Sequence, residues 1–407
     1  MEKISVLLIG IGGYGNNYVR AMLEEGEAHN AEIAGVVDPY PESCRYLNEL
    51  RNRRIPIFSR LEDFYANNRA DLAVISSPIQ FHCRQTCMSL NYGSNVLCEK
   101  PAAATVQEVD QMIEARDKSG LTVAVGFQWA YDPPFQSLKR DVMSGLLGRP
   151  ERLRTIVLWP RDTAYYKRVW AGKKRDSDGS WILDSVANNA TAHFLHNMLH
   201  LLGEKEDAST RPVEVTAELY RANPIENFDT SAIRVLTDAN AEILFYASHA
   251  VKNLFGPAFL YEFEDAMVAY NEPGLPESSN KLVARFKDGR LKEYGSPEHG
   301  SVRKLWVIMD AIRGLTSIPC PLESAKAHTL CINGAQDSMP DIVDFPSEFI
   351  KREGDPVINW VEGLEDVLKG CYNKGTLPSE DNIVWAKSGR TISLIDYNYF
   401  PKDAVDK

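Results

Sequence analysis

The chain has no CxxC pair, and its seven cysteines are an odd number. An odd count leaves at least one thiol without a partner in the chain, and together these two features predict reduced thiols and a cytoplasmic location. There is no excess of basic residues: 45 Lys and Arg stand against 56 Asp and Glu, for a net charge of −11. Non-specific contact with nucleic acid or an anionic membrane is therefore disfavoured. No apolar run is long enough to span a bilayer. The opening MEKISVLLIGIGGYG sets an apolar stretch near a lysine, but it flows into a glycine-rich turn without a small-residue cleavage site. It reads as a first strand and not as a signal peptide. Internal repeats are absent too, which excludes a solenoid. What remains is a 407-residue chain, 44% hydrophobic and 25% charged, the profile of a soluble globular protein with room for two domains.

The first part alternates between strand and helix patterns. ISVLLIG (4–10) is an unbroken apolar run, as in a parallel strand buried on both faces. A helix over 14–29 follows, then AEIAGVVD (31–38) as a strand and PESCRYLNELRNRR (41–54) as a helix opening on Pro41. DLAVISSP (71–78), SNVLCEKP (94–101) and LTVAVGFQ (121–128) are further strands, and Thr105 with Glu108 predicts a capping box on the helix between the last two. Such alternation implies a parallel sheet with helices on both faces. After about residue 128 the pattern changes: a helix over 133–146 precedes alternating strands at 213–221, 230–238 and 241–250. Asp288-Gly289 within 281–295 marks a hairpin, and helices return over 300–314 and 322–338. The expected fold class is α/β: an N-terminal Rossmann-type dinucleotide-binding domain over 1–126, then an α+β domain over 127–407 with a large, mostly antiparallel open sheet and a C-terminal extension.

Gly10-Ile11-Gly12-Gly13-Tyr14-Gly15 satisfies GxGxxG between the first strand and the first helix. Gly10 permits the tight turn, Gly12 lets backbone approach a pyrophosphate, and Gly15 allows close helix–strand contact. The helix N-terminus offers N–H groups and a positive dipole end to the phosphates. The second strand ends on Asp38, 23 residues after Gly15. A carboxylate there accepts hydrogen bonds from a ribose diol and repels a 2′-phosphate, which favours NAD over NADP.

The strand end Cys98-Glu99-Lys100-Pro101 lies where open α/β sheets bind ligands. A strand closing on Glu-Lys-Pro after a glycine fingerprint resembles the Gfo/Idh/MocA family, which includes glucose–fructose oxidoreductase and inositol dehydrogenase. Ser77-Pro78, with His82 four residues after Pro78, is similar to that family's Thr-Pro-Asn-x-x-His element, with Ile79 in place of Asn. The segment 133–148 is similar to its first helix after the domain crossover. The resemblance implies that Ser76, Ser77, Pro78, His82, Glu99 and Lys100 border the cofactor, and that Lys100 is catalytic. An ammonium there holds a substrate hydroxyl and helps manage its proton.

NATAHFLHNMLH (189–200) carries three of the eight histidines, and on a helix His193, His196 and His200 share one side. Counted back from Gly203, His193 matches the family's acid/base histidine, and Asn189 stands where the family has Asp. Asn cannot ionise, so it cannot stabilise an imidazolium as a carboxylate would. It can still hydrogen-bond a substrate hydroxyl or hold the ring. Asp184, nine residues before His193, is a candidate replacement carboxylate. His196 and His200 have metal-ligand spacing, but no carboxylate at helical spacing completes a set, and the family is metal-independent. The His82, Cys83 and Cys87 group also falls short of four ligands. No metal is expected.

Residues 159–181 hold Trp159, Tyr165, Tyr166, Trp170 and Trp181 among six Lys and Arg. Aromatic faces pack on sugar C–H faces, and Trp181, just before the histidine helix, is the candidate substrate contact beside His196. The basic residues of this stretch read first as a solvated loop; the alternative is that they attract a carboxylated or phosphorylated substrate or the cofactor pyrophosphate. The resemblance implies an NAD-dependent oxidoreductase moving hydride between a sugar, cyclitol or glycoside secondary carbinol carbon and nicotinamide. Two alternatives stay open: an NAD-recycling glycoside-cleaving enzyme working by transient oxidation and elimination, and a non-catalytic dinucleotide sensor. The expected partner is a small carbohydrate or cyclitol. An open sheet with an exposed face implies a homodimer or homotetramer.

Overall fold

The computed structural model describes residues 3–298 and 302–402. Two compact units are present: Met1–Tyr131 with His299–Lys326, and Asp132–Glu298 with Ala327–Lys407. The break thus falls after Tyr131 rather than after residue 126, and a later segment rejoins the first unit. Residues 300 and 301 of the helix expected over 300–314 lie outside the described residues.

The first unit is built on six parallel strands: β1 (Ile4–Ile9), β2 (Ala31–Val37), β3 (Ile57–Phe58), β4 (Leu72–Ile75), β5 (Asn95–Cys98) and β6 (Val123–Val125). Their order is β3-β2-β1-β4-β5-β6, the doubly wound arrangement with its reversal between β1 and β4. Between them lie α1 (Gly15–Glu25), α2 (Leu47–Asn52), α3 (Leu61–Asn67), α4 (His82–Asn91) and α5 (Val106–Ser119). Val6, Leu8, Val36, Leu72 and Val74 from the strands join Tyr18, Val19 and Met22 of α1 in one core. The helix Arg303–Ile312 adds Leu305, Ile308 and Met309 to that core, which explains why this late segment belongs to the first unit. The capping box forms as expected: Glu108 Oε2 accepts from the Thr105 backbone N–H at 2.9 Å. The helix expected over 41–54 does not run through. A single 3-10 turn, Pro41–Ser43, and a short helix, Leu47–Asn52, replace it. Asn16 Oδ1 takes the Arg45 N–H at 2.8 Å, which removes that donor from any continuous helix.

In the second unit α6 (Pro133–Met143) and β7 (Pro150–Leu158) precede α7 (Ala192–Leu201). The strands β8 (Pro212–Arg221), β9 (Thr230–Thr237), β10 (Glu242–Ser248), β11 (Phe255–Phe263), β12 (Ala266–Tyr270), β13 (Leu282–Phe286) and β14 (Leu291–Gly295) follow. They form a ten-stranded sheet ordered β14-β13-β12-β11-β7-β10-β9-β8, extended on β8 by Val343–Asp344 and Ile392–Ser393. Most pairs are antiparallel; β7 and β10 run parallel. The Asp288-Gly289 hairpin joins β13 to β14, with Gly289 at φ +88°. Alternation assigns the two faces of β7. Thr155 points to α7, where its hydroxyl meets Met198 Sδ at 3.3 Å. Ile156 and Leu158 pack with Leu244 and Tyr246 against Leu364, Leu368, Cys371 and Tyr372 of the tail helix Leu364–Lys374. The chain's own tail covers the face whose exposure implied subunit packing, so that argument for an oligomer falls at these strands. No helix of the described residues is long and apolar enough to cross a membrane.

Candidate active site

The glycine turn leaves the carboxyl end of β1. Gly10 has φ +77°, and a Cβ there would lie 2.8 Å from Ser77 N. A Cβ on Gly15 would lie 2.0 Å from Gly10 O, so α1 and β1 approach as closely as the motif requires. At Gly13 a Cβ would meet nothing within 4 Å, and no side chain caps the start of α1. The first-turn N–H groups there suit a pyrophosphate. Asp38, at the end of β2, receives the Ile11 N–H on Oδ2 at 2.9 Å and the Tyr40 N–H on Oδ1 at 2.8 Å. Each carboxylate oxygen keeps a second lone pair for a ribose hydroxyl. A bound dinucleotide therefore fits the residues present.

The strand ends beside this turn are tied together. Ser76 Oγ donates to Gly10 O at 2.6 Å, and Ser77 Oγ to Gln85 Oε1 at 2.6 Å. His82 is buried with Nε2 2.9 Å from Ser77 O and Nδ1 2.8 Å from Pro101 O. Both ring nitrogens face backbone carbonyls, and the neutral ring donates to one of them, so His82 packs between the loops after β4 and β5 rather than presenting a nitrogen to a ligand. Burial holds its pKa below the usual value.

Glu99, also buried, accepts from the Tyr18 hydroxyl at 2.5 Å and pairs with Lys304 Nζ at 2.5 Å. Lys304 further donates to Gly126 O at 3.0 Å and lies 4.9 Å from the Tyr14 ring centroid. Burial alone would raise the Glu99 pKa; Lys304 and Tyr18 reverse that, and it is lowered. Burial alone would lower Lys304; Glu99 and Tyr14 reverse that, and it is raised. Both groups are therefore ionised. Lys100, half-buried, leads into Pro101 through a cis peptide, and its N–H reaches Glu99 Oε2 at 3.2 Å. Lys304 escaped the sequence reading. The signal for it was a lysine four residues before Ile308, on the apolar face of its helix.

In the second unit the helix expected over 189–200 is divided. Val186–Ala190 form a π-helical turn, and α7 begins at Ala192. Ser185 Oγ caps the turn by accepting the Asn188 N–H at 3.1 Å, and Thr191 Oγ1 donates to Val186 O at 2.5 Å. The turn brings Asp184 back to Asn189: Asn189 Nδ2 donates to Asp184 Oδ1 at 2.8 Å. Gly172 N–H donates to Asp184 Oδ2 at 2.6 Å. A carboxylate thus stands directly behind the asparagine. Asn189 and His193 are both half-buried.

Two expected substrate contacts have partners within the protein. His196 is 1% exposed and stacks on buried His200 at 5.6 Å, so it is a core residue, not a pocket wall. Burial first, then His200, holds its pKa well below the usual value. Trp181 has the Arg175 guanidinium 3.3 Å from its ring centroid and the Phe400 ring edge-on at 4.9 Å. One of its faces is therefore taken by the protein. Among the described residues no group of three or more His, Cys, Asp or Glu is placed to hold a metal ion.

Residues 4–127 match the sequence model described as "Oxidoreductase family, NAD-binding Rossmann fold", of Gfo/Idh/MocA. A protein of Bacillus subtilis (strain 168) named scyllo-inositol 2-dehydrogenase (NADP(+)) IolU is 34% identical over 241 residues, covering 59% of this chain and 68% of its own. A putative oxidoreductase of the same organism, YteT, is 27% identical over 188 residues, 44% of this chain, and the match spans only 41% of that relative's length. Among solved structures, the WlbA dehydrogenase of Bordetella pertussis in complex with NADH and UDP-GlcNAcA overlays with a TM-score of 0.66 at 21% identity, covering 83% of this chain and 97% of that one. UDP-N-acetylglucosamine 3-dehydrogenase GnnA of Acidithiobacillus ferrooxidans overlays with a TM-score of 0.64 at 17% identity, covering 82% and 97%. The parallel sheet with its glycine turn, the Glu-Lys-Pro strand end and these likenesses agree: the chain belongs to the Gfo/Idh/MocA family of NAD-binding Rossmann-fold oxidoreductases.

Proposed function

We propose that the chain is an NAD-dependent dehydrogenase acting on a secondary hydroxyl of a sugar, cyclitol or glycoside. The observation that carries this reading is the common edge of one parallel sheet. The glycine turn, Asp38 and Glu99-Lys100 all leave strand carboxyl ends, of β1, β2 and β5. NAD, when bound, supplies the hydride acceptor. Asp38 holds a ribose hydroxyl pair and disfavours a 2′-phosphate. Lys100 orients the substrate oxygen and stabilises negative charge developing on it. His193 takes the hydroxyl proton. Asn189 presents a polar group whose orientation Asp184 fixes, and Asp184 returns to this helix the negative charge that asparagine lacks. Glu99, neutralised by Lys304, does not compete as a full charge for the Lys100 ammonium.

The test is to identify nucleotide bound to the purified protein, then follow NADH formation with sugars, cyclitols and aryl glycosides. Net NADH formation, lost in Lys100→Ala and His193→Ala, is the expected result. Aglycone release without net NADH would replace the reading with oxidation and elimination. Nucleotide binding with neither would make the chain a sensor.

A further inference from the structure

The arginines of the 159–181 stretch are not arranged as a solvated charge run. Arg161 and Arg168 both stack on Tyr165, with guanidinium carbons 5.1 Å and 3.8 Å from the ring centroid. Arg161 donates to Pro160 O at 3.2 Å and Arg168 to Tyr165 O at 3.0 Å. Neither has a carboxylate partner among the described residues, although most arginines of the second unit do. Arg161 Nε is buried without a hydrogen-bond partner.

Two further polar groups lie on the same tyrosine. The Tyr166 ring sits 5.1 Å from that of Tyr165, and its hydroxyl is buried without a partner. The His249 ring lies 5.6 Å from Tyr165 and is 2% exposed. Its Nδ1 is 2.8 Å from Trp159 O, whereas Nε2 is buried without a partner. Burial, helped by Arg161 and Arg168, keeps this imidazole neutral by lowering its pKa to about 3. A carbonyl can only accept, so the ring proton is on Nδ1 and Nε2 is an acceptor. Two nearby carboxylates have other partners: Asp184 accepts from Gly172 and Asn189, and Asp229 from Ala222 and Asn223. Asp162 Oδ1 accepts the Tyr165 N–H. Buried polar groups left unpaired are costly, so this set implies a ligand that completes it.

We propose that Arg161, Tyr166, Arg168 and His249 form a subsite for an anionic sugar, one whose carboxylate or phosphate oxygens lie next to a free hydroxyl. The guanidiniums and the Tyr166 hydroxyl donate to the anionic oxygens, and the neighbouring hydroxyl donates to His249 Nε2. Guanidinium forks match both carboxylate and phosphate oxygens. A neutral sugar would satisfy His249 but leave both arginines without a counter-charge. This deepens the dehydrogenase reading and rests on it for the substrate being a sugar.

The test measures binding of glucuronate, glucose 6-phosphate and glucose to the full-length protein loaded with NAD, by calorimetry or ligand-observed NMR. Wild type is compared with Arg161→Met, Arg168→Met and Tyr166→Phe; Arg168 is exposed, and methionine keeps an unbranched apolar chain against the Tyr165 ring. At least one anion is expected to bind about tenfold or more tightly than glucose, with salt weakening it. Each arginine substitution should cut that preference about tenfold. Glucuronate against glucose 6-phosphate tells carboxylate from phosphate. Anions that bind no better than glucose, or a preference that survives Arg161→Met with Arg168→Met, would overturn the subsite. Anion binding lost in the arginine variants, with no NADH from any sugar, would keep the subsite and remove the dehydrogenase reading. Oxidation of neutral sugars without any anion preference would do the reverse.

Discussion

Lys304 Nζ lies 2.5 Å from Glu99 Oε1 inside the first unit, and the lysine side chain is 1% exposed. Breaking a buried pair from one side leaves a charge without its counter-charge, at a cost of about 3–5 kcal/mol. Lys304→Met is expected to destabilise by that amount, and Lys304→Met with Glu99→Gln to recover part of it. The pH dependence carries a sign. The folded Glu99 pKa is lowered, so its stabilisation is present above the unfolded value and lost as pH falls through the folded one. The folded Lys304 pKa is raised, so its contribution is present below the unfolded value and lost as pH rises through the folded one. Without Lys304, burial pushes the folded Glu99 pKa up, so chemical denaturation across pH should show the deficit of Lys304→Met shrinking as pH falls and Glu99 takes up a proton. A variant as stable as wild type at pH 7 would refute the argument.

His82, His196, His200 and His249 are buried, and burial lowers all four. The unfolded chain takes up protons below about pH 6.5 while these four rings stay neutral in the fold. Stability is therefore lost as pH falls below that value, each ring adding up to about 1.4 kcal/mol per pH unit. Urea midpoints at pH 8, 6 and 5 are expected to drop steeply over the last two, with protons taken up on unfolding. Midpoints that stay level down to pH 5 would show that these rings titrate normally.

The hydrogen bond from Asn189 to Asp184 puts a carboxylate where a longer helix would not have placed one. Asp184→Asn keeps an acceptor for Gly172 but removes the charge. It is expected to lower kcat by about tenfold to a hundredfold, the scale of a group that orients an acid–base residue without being one. NAD affinity should be unchanged. Asn189→Asp would set two carboxylates within hydrogen-bond distance, so that one proton is shared and activity gains a new acidic limb. Loss of NAD binding in Asp184→Asn would mean the substitution disturbs the fold and not the chemistry.

The readable features were those whose causes are local. An all-apolar β1, the glycine turn, the Thr105 capping box and the Asp288-Gly289 hairpin each depend on neighbours in sequence. β7 was not legible, because Arg152 and Arg154 give it the look of a polar loop. Their guanidiniums are satisfied by Glu242 at 2.6 Å and Glu262 at 3.2 Å, partners 90 or more residues away. The Glu99–Lys304 pair depends on a helix that rejoins the first unit after the whole antiparallel sheet. The helix that carries His193 was legible, but its register before that point hid a π-turn. Spacing counted on a regular α-helix could not show that Asp184 folds back on Asn189.

We propose that Asp38 carries the cofactor preference. Its carboxylate is already oriented by the Ile11 and Tyr40 N–H groups, at 2.9 Å and 2.8 Å. Such preorientation means little ordering is needed when a ribose diol arrives. A hydrogen bond to a charged group contributes about 1.5–3 kcal/mol, roughly tenfold to a hundredfold in affinity. Asp38→Ser is expected to raise the Kd for NAD by that factor and to narrow or invert the preference over NADP, since the repulsion of a 2′-phosphate goes with the charge. The outcome bears on relatives named for NADP(+), such as the Bacillus subtilis scyllo-inositol 2-dehydrogenase IolU. Fluorescence titration with both nucleotides, beside a thermal melt to confirm folding, measures it. A wild-type protein that binds NADP more tightly than NAD would show that Asp38 is consumed by its two backbone bonds and does not read the ribose.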